Sequence, residues 1–395
     1  MTKARTARAG RRPRDRKAQI LRTAAECFRR TGYHATSMEQ IAAAVGITAG
    51  ALYRHFDGKQ ELLGQALLSG LDPFLAAIRQ ADGLDQLLRT TASFVLDGRT
   101  HTILWERELR NLSEQHRQEV QQQHEATAAD ICAVIRRARP ELPTQDTQLL
   151  AWAVLAVLAS PSYHGTQLPR PRFEELLREL AAAVLRLPVF PAPALQAEPR
   201  DRPGPGLVPA SRREALLAAA VPLFTARGYQ AVSMEDIGTA AGISRPTVYN
   251  HFTTKAELLT AALHRETEAA WNTLVRVFSR STTPAEALTQ LLHAYADSAI
   301  PDRGLTGLLV SEMLHLPAEQ QQALRRSQAE YVGEWTALLR SCRPELGEAE
   351  TRITVQAVFT LVNTVSRQSA LMTHADPAGA LVILGLAVLG IDRRP

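Results

Sequence analysis

The stretch Thr36-Ser37-Met38-Glu39-Gln40-Ile41-Ala42-Ala43-Ala44-Val45-Gly46-Ile47-Thr48-Ala49-Gly50-Ala51-Leu52-Tyr53-Arg54-His55-Phe56 decides the fold. Ser37 is placed to cap a short helix, with Ile41 and Ala44 expected on its inner face. Val45-Gly46-Ile47 reads as a tight turn with an apolar plug, and Thr48 caps a second short helix that ends at His55-Phe56. Two short helices joined by a Gly-containing turn form a helix-turn-helix, whose second helix enters the DNA major groove. A near copy follows as Val232-Ser233-Met234-Glu235-Asp236-Ile237-Gly238-Thr239-Ala240-Ala241-Gly242-Ile243-Ser244-Arg245-Pro246-Thr247-Val248-Tyr249-Asn250-His251-Phe252. The register between the copies is 196 residues, from Tyr33 to Tyr229, and it holds through Lys59/Lys255 and Leu62-Leu63/Leu258-Leu259.

Around each copy stands the same frame. An amphipathic helix ends in Phe-x-x-x-Gly-Tyr (Phe28 to Tyr33, Phe224 to Tyr229), and Lys-x-Glu-Leu-Leu opens a longer helix after the motif. This frame closely resembles the DNA-binding domain of the tetracycline-repressor (TetR) family of bacterial transcription regulators. The resemblance covers about sixty residues in each copy; elsewhere it rests on an all-helical pattern. It implies that Thr48, Ala49 and Arg54 lie near the bases, that Tyr53, His55 and Lys59 grip phosphates, and that Gly50 and Leu52 belong to the same DNA-binding face. In the second copy it implies the same for Ser244, Arg245, Pro246, Thr247, Tyr249, Asn250, His251 and Lys255. Thr36, Ser37 and Ser233, at the start of the preceding helix, are assigned to the interface as well. Both lysines read as exposed.

Composition narrows the class. Ala and Leu dominate, only 5% of residues are aromatic, and no run of alternating β-branched residues occurs, so the chain reads as all-α. The length and the repeat predict two units. Cys27, Cys132 and Cys342 have neither metal-site nor disulfide spacing, which fits a reducing cytoplasm. The Arg-rich start lacks the apolar core of a secretory signal, and the apolar run from Ala378 to Ile391 is short for a bilayer, so no membrane association is expected. From Met1 to Lys17, eight basic side chains face Asp15 alone, a net +7 against +5 for the whole chain, leaving −2 for the rest. Positive charge is thus confined to an arm suited to the minor groove or phosphates beside a helix-turn-helix. No Gly-rich phosphate loop, His-x-x-x-His or Cys-x-x-Cys is present, so no enzyme, metal or cofactor is expected.

Beyond the motifs, helices are predicted over Gly58–Leu71, Leu84–Asp97, Thr102–Leu112, Glu119–Arg139, Gln145–Ser160 and Phe173–Leu187. A second register of 204 residues aligns Arg139-Pro140-Glu141-Leu142 with Arg343-Pro344-Glu345-Leu346, and Leu104, Glu108 and Leu112 with Leu308, Glu312 and Leu316. The duplication therefore takes in the C-terminal helices. Between the copies, Pro188 to Pro209 is Pro-rich and extended, long enough to reach on the order of 70 Å. Ser211-Arg212-Arg213-Glu214 reads as a capping box, and Pro222 should kink the helix that follows.

The expected organisation is a basic arm (1–13), a first helix-turn-helix domain (14–74), a helical regulatory domain (75–187), a linker (188–210), a second helix-turn-helix domain (211–270) and a second regulatory domain (271–391). The resemblance implies a ligand-responsive regulator, most often a repressor, whose partners are a double-stranded DNA operator and a small-molecule effector. It also implies helical domains that pair, here as an intramolecular pseudo-dimer. The uncharged Ala378–Ile391 helix leaves room for a further homodimer. Helices that line pockets in that family carry His101, Trp105, Arg107 and Glu108 in the first copy and Glu312, Met313 and His315 in the second; core and surface roles compete for each. The alternatives are a homodimer in which one copy has become a ligand sensor, and a nonspecific DNA-binding protein.

Overall fold

The structure, a computed structural model, describes residues 13–98, 108–188, 190, 209–300 and 312–391. The basic arm, most of the predicted Thr102–Leu112 helix with His101, Trp105 and Arg107, and the linker from 191 to 208 lie outside the described residues. Every described regular element is helical. The chain divides into two compact units, Met1–Ala76 with Thr100–Ala126, and Ala77–Arg99 with Thr127–Pro395.

The first unit holds α1 (Pro13–Thr31), α2 (Met38–Val45), α3 (Ala49–Tyr53), most of α4 (Lys59–Arg79), a 3-10 turn (Leu109–Asn111) and the start of α6 (Glu114–Ala138). Ile20, Ala24 and Phe28, spaced four apart, form a stripe on α1 that meets Ile41, Leu52, Phe56, Leu62 and Leu63 in one core. Each large apolar side chain buried there contributes roughly 1.5–3 kcal/mol. Leu112 and Val120 belong to the same core, which is why the 3-10 turn and the start of α6 group with the helix-turn-helix rather than with the helices downstream. On α2 the buried face is Met38, Ile41, Ala42 and Val45; Ala44, expected inside, is exposed. By length and hydropathy α4 is the one described helix that could cross a bilayer, yet Leu62, Leu63, Ala66 and Leu67, which lipid would have to cover, are buried in this core.

The second unit contains α5 (Leu84–Asp97), the end of α6, α7 (Thr144–Ala159), α8 (Arg170–Leu185) and the whole second copy. That copy runs through α9 (Arg212–Arg227), α10 (Met234–Ala240), α11 (Arg245–His251), α12 (Lys255–Phe278), α13 (Pro284–Ala299), α14 (Ala318–Cys342), α15 (Glu348–Val365), a short α16 (Ser369–Met372) and α17 (Pro377–Leu389). Under the 204 register α6 and α14 coincide end to end, and α8 and α17 finish at equivalent residues, Leu185 and Leu389. Helices α7 and α8 of the first copy pack against α15 and α17 of the second, with α7 on α15 and α8 on α17. α17 buries Ala380, Leu381, Val382, Leu384, Gly385, Leu386, Val388 and Leu389, covered by α8, α13 and α15, as a helix apolar all round requires. A Cβ at Gly385 would lie 2.7 Å from the Leu292 side chain, so α17 and α13 approach at the limit.

Two local expectations change. The N-cap of α9, Ser211, makes no side-chain cap, and Glu214 pairs with Arg265 on α12 instead of closing a capping box; Pro222 lies inside this helix. The linker is also anchored at its start. The Phe190 N–H donates to the Asp146 carboxylate at 3.0 Å, and its ring meets His374 edge-on at 5.5 Å.

Candidate nucleic-acid interface

In the first copy α2 opens with a capping box. Ser37 Oγ accepts from the Gln40 N–H, and Gln40 Oε1 accepts from the Ser37 N–H. Gly46 turns the chain at φ +77°, a conformation that favours glycine, and Thr48 caps α3 by accepting from the Ala51 N–H at 3.2 Å. Thr48, Gly50, Tyr53, Arg54 and His55 are exposed and Ala49 is half-buried. Tyr53 leaves half its surface bare, 50%, although it is a large ring on a helix whose next turn enters the core.

Two assigned contacts are corrected. The Leu52 side chain is fully buried, plugging α3 into the core, so it does not reach DNA. Thr36 is buried as well, its hydroxyl bonded to the Gly32 carbonyl at 2.7 Å and to Thr31 at 2.7 Å.

The second copy repeats the frame with different tips. Ser233 and Asp236 form the capping box, and the Ser233 hydroxyl also donates to the Asp236 carboxylate at 2.7 Å, leaving it no free proton. Ser244 Oγ and Thr247 Oγ1 lie 3.0 Å apart, and Pro246 sits in the first turn of α11, where a missing N–H is tolerated. Arg245, Pro246, Tyr249 (45% bare) and Asn250 are exposed; His251 is half-buried. Val248 replaces Leu52 as the plug, and a Cβ on Gly238 would lie 2.8 Å from both the Ile243 carbonyl oxygen and Val248 Cγ2. Gly238 stands where the first copy has Ala42, so this turn is packed more tightly.

Lys59 and Lys255 are not the exposed lysines expected. Lys59 Nζ donates to the Tyr33 and Thr36 carbonyls at 2.8 and 2.9 Å and lies 4.3 Å from the centre of the Tyr33 ring. Lys255 Nζ does the same with Tyr229 and Val232, at 2.6 and 2.7 Å, again 4.3 Å from the ring. Burial pulls both ammonium groups below the ordinary lysine value. Two of each ammonium's three protons bind protein carbonyls, so the lysines tie the α1–α2 and α9–α10 turns to α4 and α12.

The described candidates for an effector pocket also fall elsewhere. Glu108 and Glu312, 3% and 1% exposed, accept from the Tyr33 and Tyr229 N–H groups at 3.2 and 3.3 Å. His315 stacks on Tyr229 at 5.1 Å, and Met313 is half-buried beside it in a 3-10 turn. These residues serve the helix-turn-helix rather than a cavity.

Sequence reading missed an aromatic cluster in the second copy. Tyr295, Tyr331, Trp335 and Phe359 pack with ring centres 4.9 to 6.3 Å apart, and Trp271 meets Tyr331 edge-on at 5.7 Å. The Tyr295 hydroxyl donates to Asn363 Oδ1 at 2.9 Å, and burial pushes its phenol well above the usual range. Trp335 is fully buried beneath these rings. Tyr295, Tyr331 and Phe359 keep part of their surface open. The equivalents in the first copy are Thr91, Thr127, Ile131, Leu155 and, for Asn363, Ala159. The spacing of these aromatics on α13, α14 and α15 was visible, but nothing in the sequence says that three helices bring them together.

Two helix-turn-helix frames of this geometry are what the comparisons find. The model of bacterial regulatory proteins of the tetR family matches residues 20–66 and again 216–262, and the tetracyclin repressor-like C-terminal domain matches 281–367. The chain belongs to the TetR family, in tandem duplication. Among curated TetR-type relatives, the transcriptional activator FasR of Mycolicibacterium smegmatis is 43% identical over 68 residues, 17% of this chain and 31% of that protein. The repressor KstR2 of Rhodococcus jostii is 39% identical over 72 residues, 18% of this chain and 35% of its own. The chain thus spans about a third of the length of these relatives. A TetR-family regulator from Bordetella parapertussis superposes with a TM-score of 0.42 at 20% identity, over 45% of this chain and 95% of its own.

Proposed function

We propose that this chain is a sequence-specific DNA-binding transcriptional regulator, not an enzyme, that places two unlike recognition helices on one asymmetric operator as a single-chain pseudo-dimer. The observation that carries the reading is the pair of exposed recognition faces. Each keeps the Tyr-x-His-Phe frame, with its plug turned into a core, while Thr48, Ala49, Gly50 and Arg54 are exchanged for Ser244, Arg245, Pro246 and Asn250. The packing of α7 and α8 on α15 and α17 supports a pairing of helical domains within one chain. In this reading domains 14–74 and 211–270 read DNA, 75–187 and 271–391 regulate, and the protein acts in the cytoplasm. Repression follows from occupying the operator.

The effector enters at the second copy. The part-open Tyr295, Tyr331 and Phe359 rings suit a small, flat, apolar molecule that stacks on them. Binding that favours one arrangement of the helical domain would shift operator affinity by its differential affinity for the two states. The deciding experiment selects duplexes from a random-sequence library and measures the complex by light scattering. An asymmetric site holding one 43.3 kDa chain supports the reading. A palindrome holding two chains, or no enriched sequence, refutes it.

A further inference from the structure

Tyr33 and Tyr229 each follow a glycine at positive φ, Gly32 at +81° and Gly228 at +80°, so the chain has left the helix and each tyrosine N–H must find its partner elsewhere. The partner is a buried carboxylate more than seventy residues on, Glu108 or Glu312, standing immediately before a 3-10 turn. A second polar contact runs alongside. In the first copy His34 Nε2 donates to Asn111 Oδ1 at 3.1 Å, and Asn111 Nδ2 donates to Glu108 at 2.7 Å. In the second, Gln230 Nε2 donates to His315 Nδ1 at 3.2 Å, and His315 Nε2 faces Glu312 at 3.5 Å.

Gln230 is the counterpart of His34 in the 196 register, and His315 that of Asn111 in the 204 register. The amide and the imidazole have changed sides while the direction of donation, from turn to 3-10 residue to carboxylate, is the same. Side chains that served only as solvated surface would have no reason to keep that polarity through an exchange.

Packing alone cannot set this geometry. Leu112 and Val120 in the first copy, and Leu316 and Leu324 in the second, bury the same two positions in the helix-turn-helix core, but apolar contact is non-directional. A buried carboxylate held by a backbone N–H and a side-chain donor admits one orientation and is costly to leave unpaired. In the second copy the 3-10 turn leads directly into α14, whose 25 residues span about 37 Å and carry Tyr331 and Trp335.

We propose that Glu312, His315 and Gln230, with Glu108, Asn111 and His34 in the first copy, form a strut through which each helical segment sets the orientation of its recognition helix. They are positioning residues, and only the DNA arm of the test rests on the proposed function. The test uses the full chain, a duplex that the wild type selects from a random library, and hydrogen exchange at residues 228–232. Glu312→Ala and His315→Leu should each speed exchange at Tyr229, and weaken the duplex complex, by about tenfold or more, as loss of a hydrogen bond to a charged group implies. Exchange in α15 and α17 should not change. His315→Asn, which installs the residue of the first copy, should stay within about twofold of wild type, since its amide can accept from Gln230 and donate to Glu312. The proposal is overturned if His315→Leu and His315→Asn behave alike, or if exchange rises equally throughout the second unit. Should the wild type select no duplex, the DNA reading fails while the exchange arm still decides the strut.

Discussion

Arg172 on α8 donates to Glu350 on α15 at 2.5 Å, an ion pair between the two copies. The 204 register relates Glu350 to Asp146, and Asp146 in turn faces His374 of the second copy at 3.9 Å. The two carboxylates are equivalent but their partners are not, since the 204 register relates Arg172 to Asp376: guanidinium meets glutamate on one side and imidazole faces aspartate on the other, with Phe190 of the linker closing the second. Two copies that meet in a single chain are free to diverge across their interface, because neither has to match itself.

The Arg172–Glu350 pair carries an acid dependence. The Gly347 N–H, and then the Arg172 guanidinium, hold the Glu350 carboxyl below its ordinary value of 4.5, against the opposing pull of burial. A carboxyl lowered in the folded state contributes stability above pH 4.5 that is lost as pH falls through the folded value. Arg172→Ala should destabilise the second unit by on the order of 1 kcal/mol at pH 7, since a third of the arginine side chain is solvated and screened. The difference from wild type should shrink below pH 4. Urea melts at pH 7 and pH 3.5 measure it; an equal loss at both would remove the pair from the account.

Gly238→Ala should destabilise the second helix-turn-helix. The new methyl group meets a backbone carbonyl and Val248 at 2.8 Å, and overpacking of this kind costs about 1–3 kcal/mol, more than the helix-propensity gain of at most about 1 kcal/mol. Faster hydrogen exchange in α10 and α11, with the first unit unaffected, is the expected readout. Unchanged or slower exchange would contradict the tight turn.

The lysines and tyrosines separate by experiment. Tyr53→Ala with His55→Ala should weaken all DNA binding and lower the salt slope by up to roughly one unit per lost phosphate contact. Lys59→Met should instead lower thermal stability and leave the slope nearly unchanged, because two of its three protons already bind carbonyls. A slope that falls by a full unit in Lys59→Met would return that residue to the interface.

Much of this was legible in the sequence and some was not, for separable reasons. The two motifs, their caps Ser37 and Thr48, and the plug Phe56 declare themselves through local spacing and turn chemistry. Leu52 and Thr36 were misplaced because helical position alone does not tell the face turned to DNA from the face turned to the core on so short an element. Lys59, Glu108 and His315 were misread for a different reason. Each acts on a residue far away in sequence, and charge by itself suggests solvent or ligand. The α2 register slipped by one, from Ala44 to Val45, since a run of alanines offers no contrast.

The aromatic cluster predicts where a small molecule acts. Flat heteroaromatic probes such as quinoline should quench indole emission in the wild type, and Tyr331→Ala, which removes a part-open ring between Trp271 and Trp335, should weaken probe binding by about tenfold. Quenching unchanged by Tyr331→Ala would move the site elsewhere.

The last prediction concerns the operator. A symmetric dimer presents two identical recognition helices and so reads a palindrome with half-sites about one helical turn apart. Here the tips differ. Arg245 can donate a bidentate pair to guanine and Asn250 can pair with adenine, while the first copy offers Thr48, a small Ala49 and Arg54. Each good contact is worth about 1–3 kcal/mol, so the two halves should prefer different bases by ten- to a hundredfold at the positions met. Arg245→Ala should relax specificity in one half-site and leave the other untouched; Thr48→Ala and Arg54→Ala should do the converse. Replacing Ser244–Asn250 with the residues of Thr48–Arg54 should make the selected site palindromic without changing the mass of the complex. If the unaltered chain already selects a palindrome, or if both arginine variants relax the same half-site, two copies of one recognition helix are reading the DNA and the single-chain arrangement is wrong.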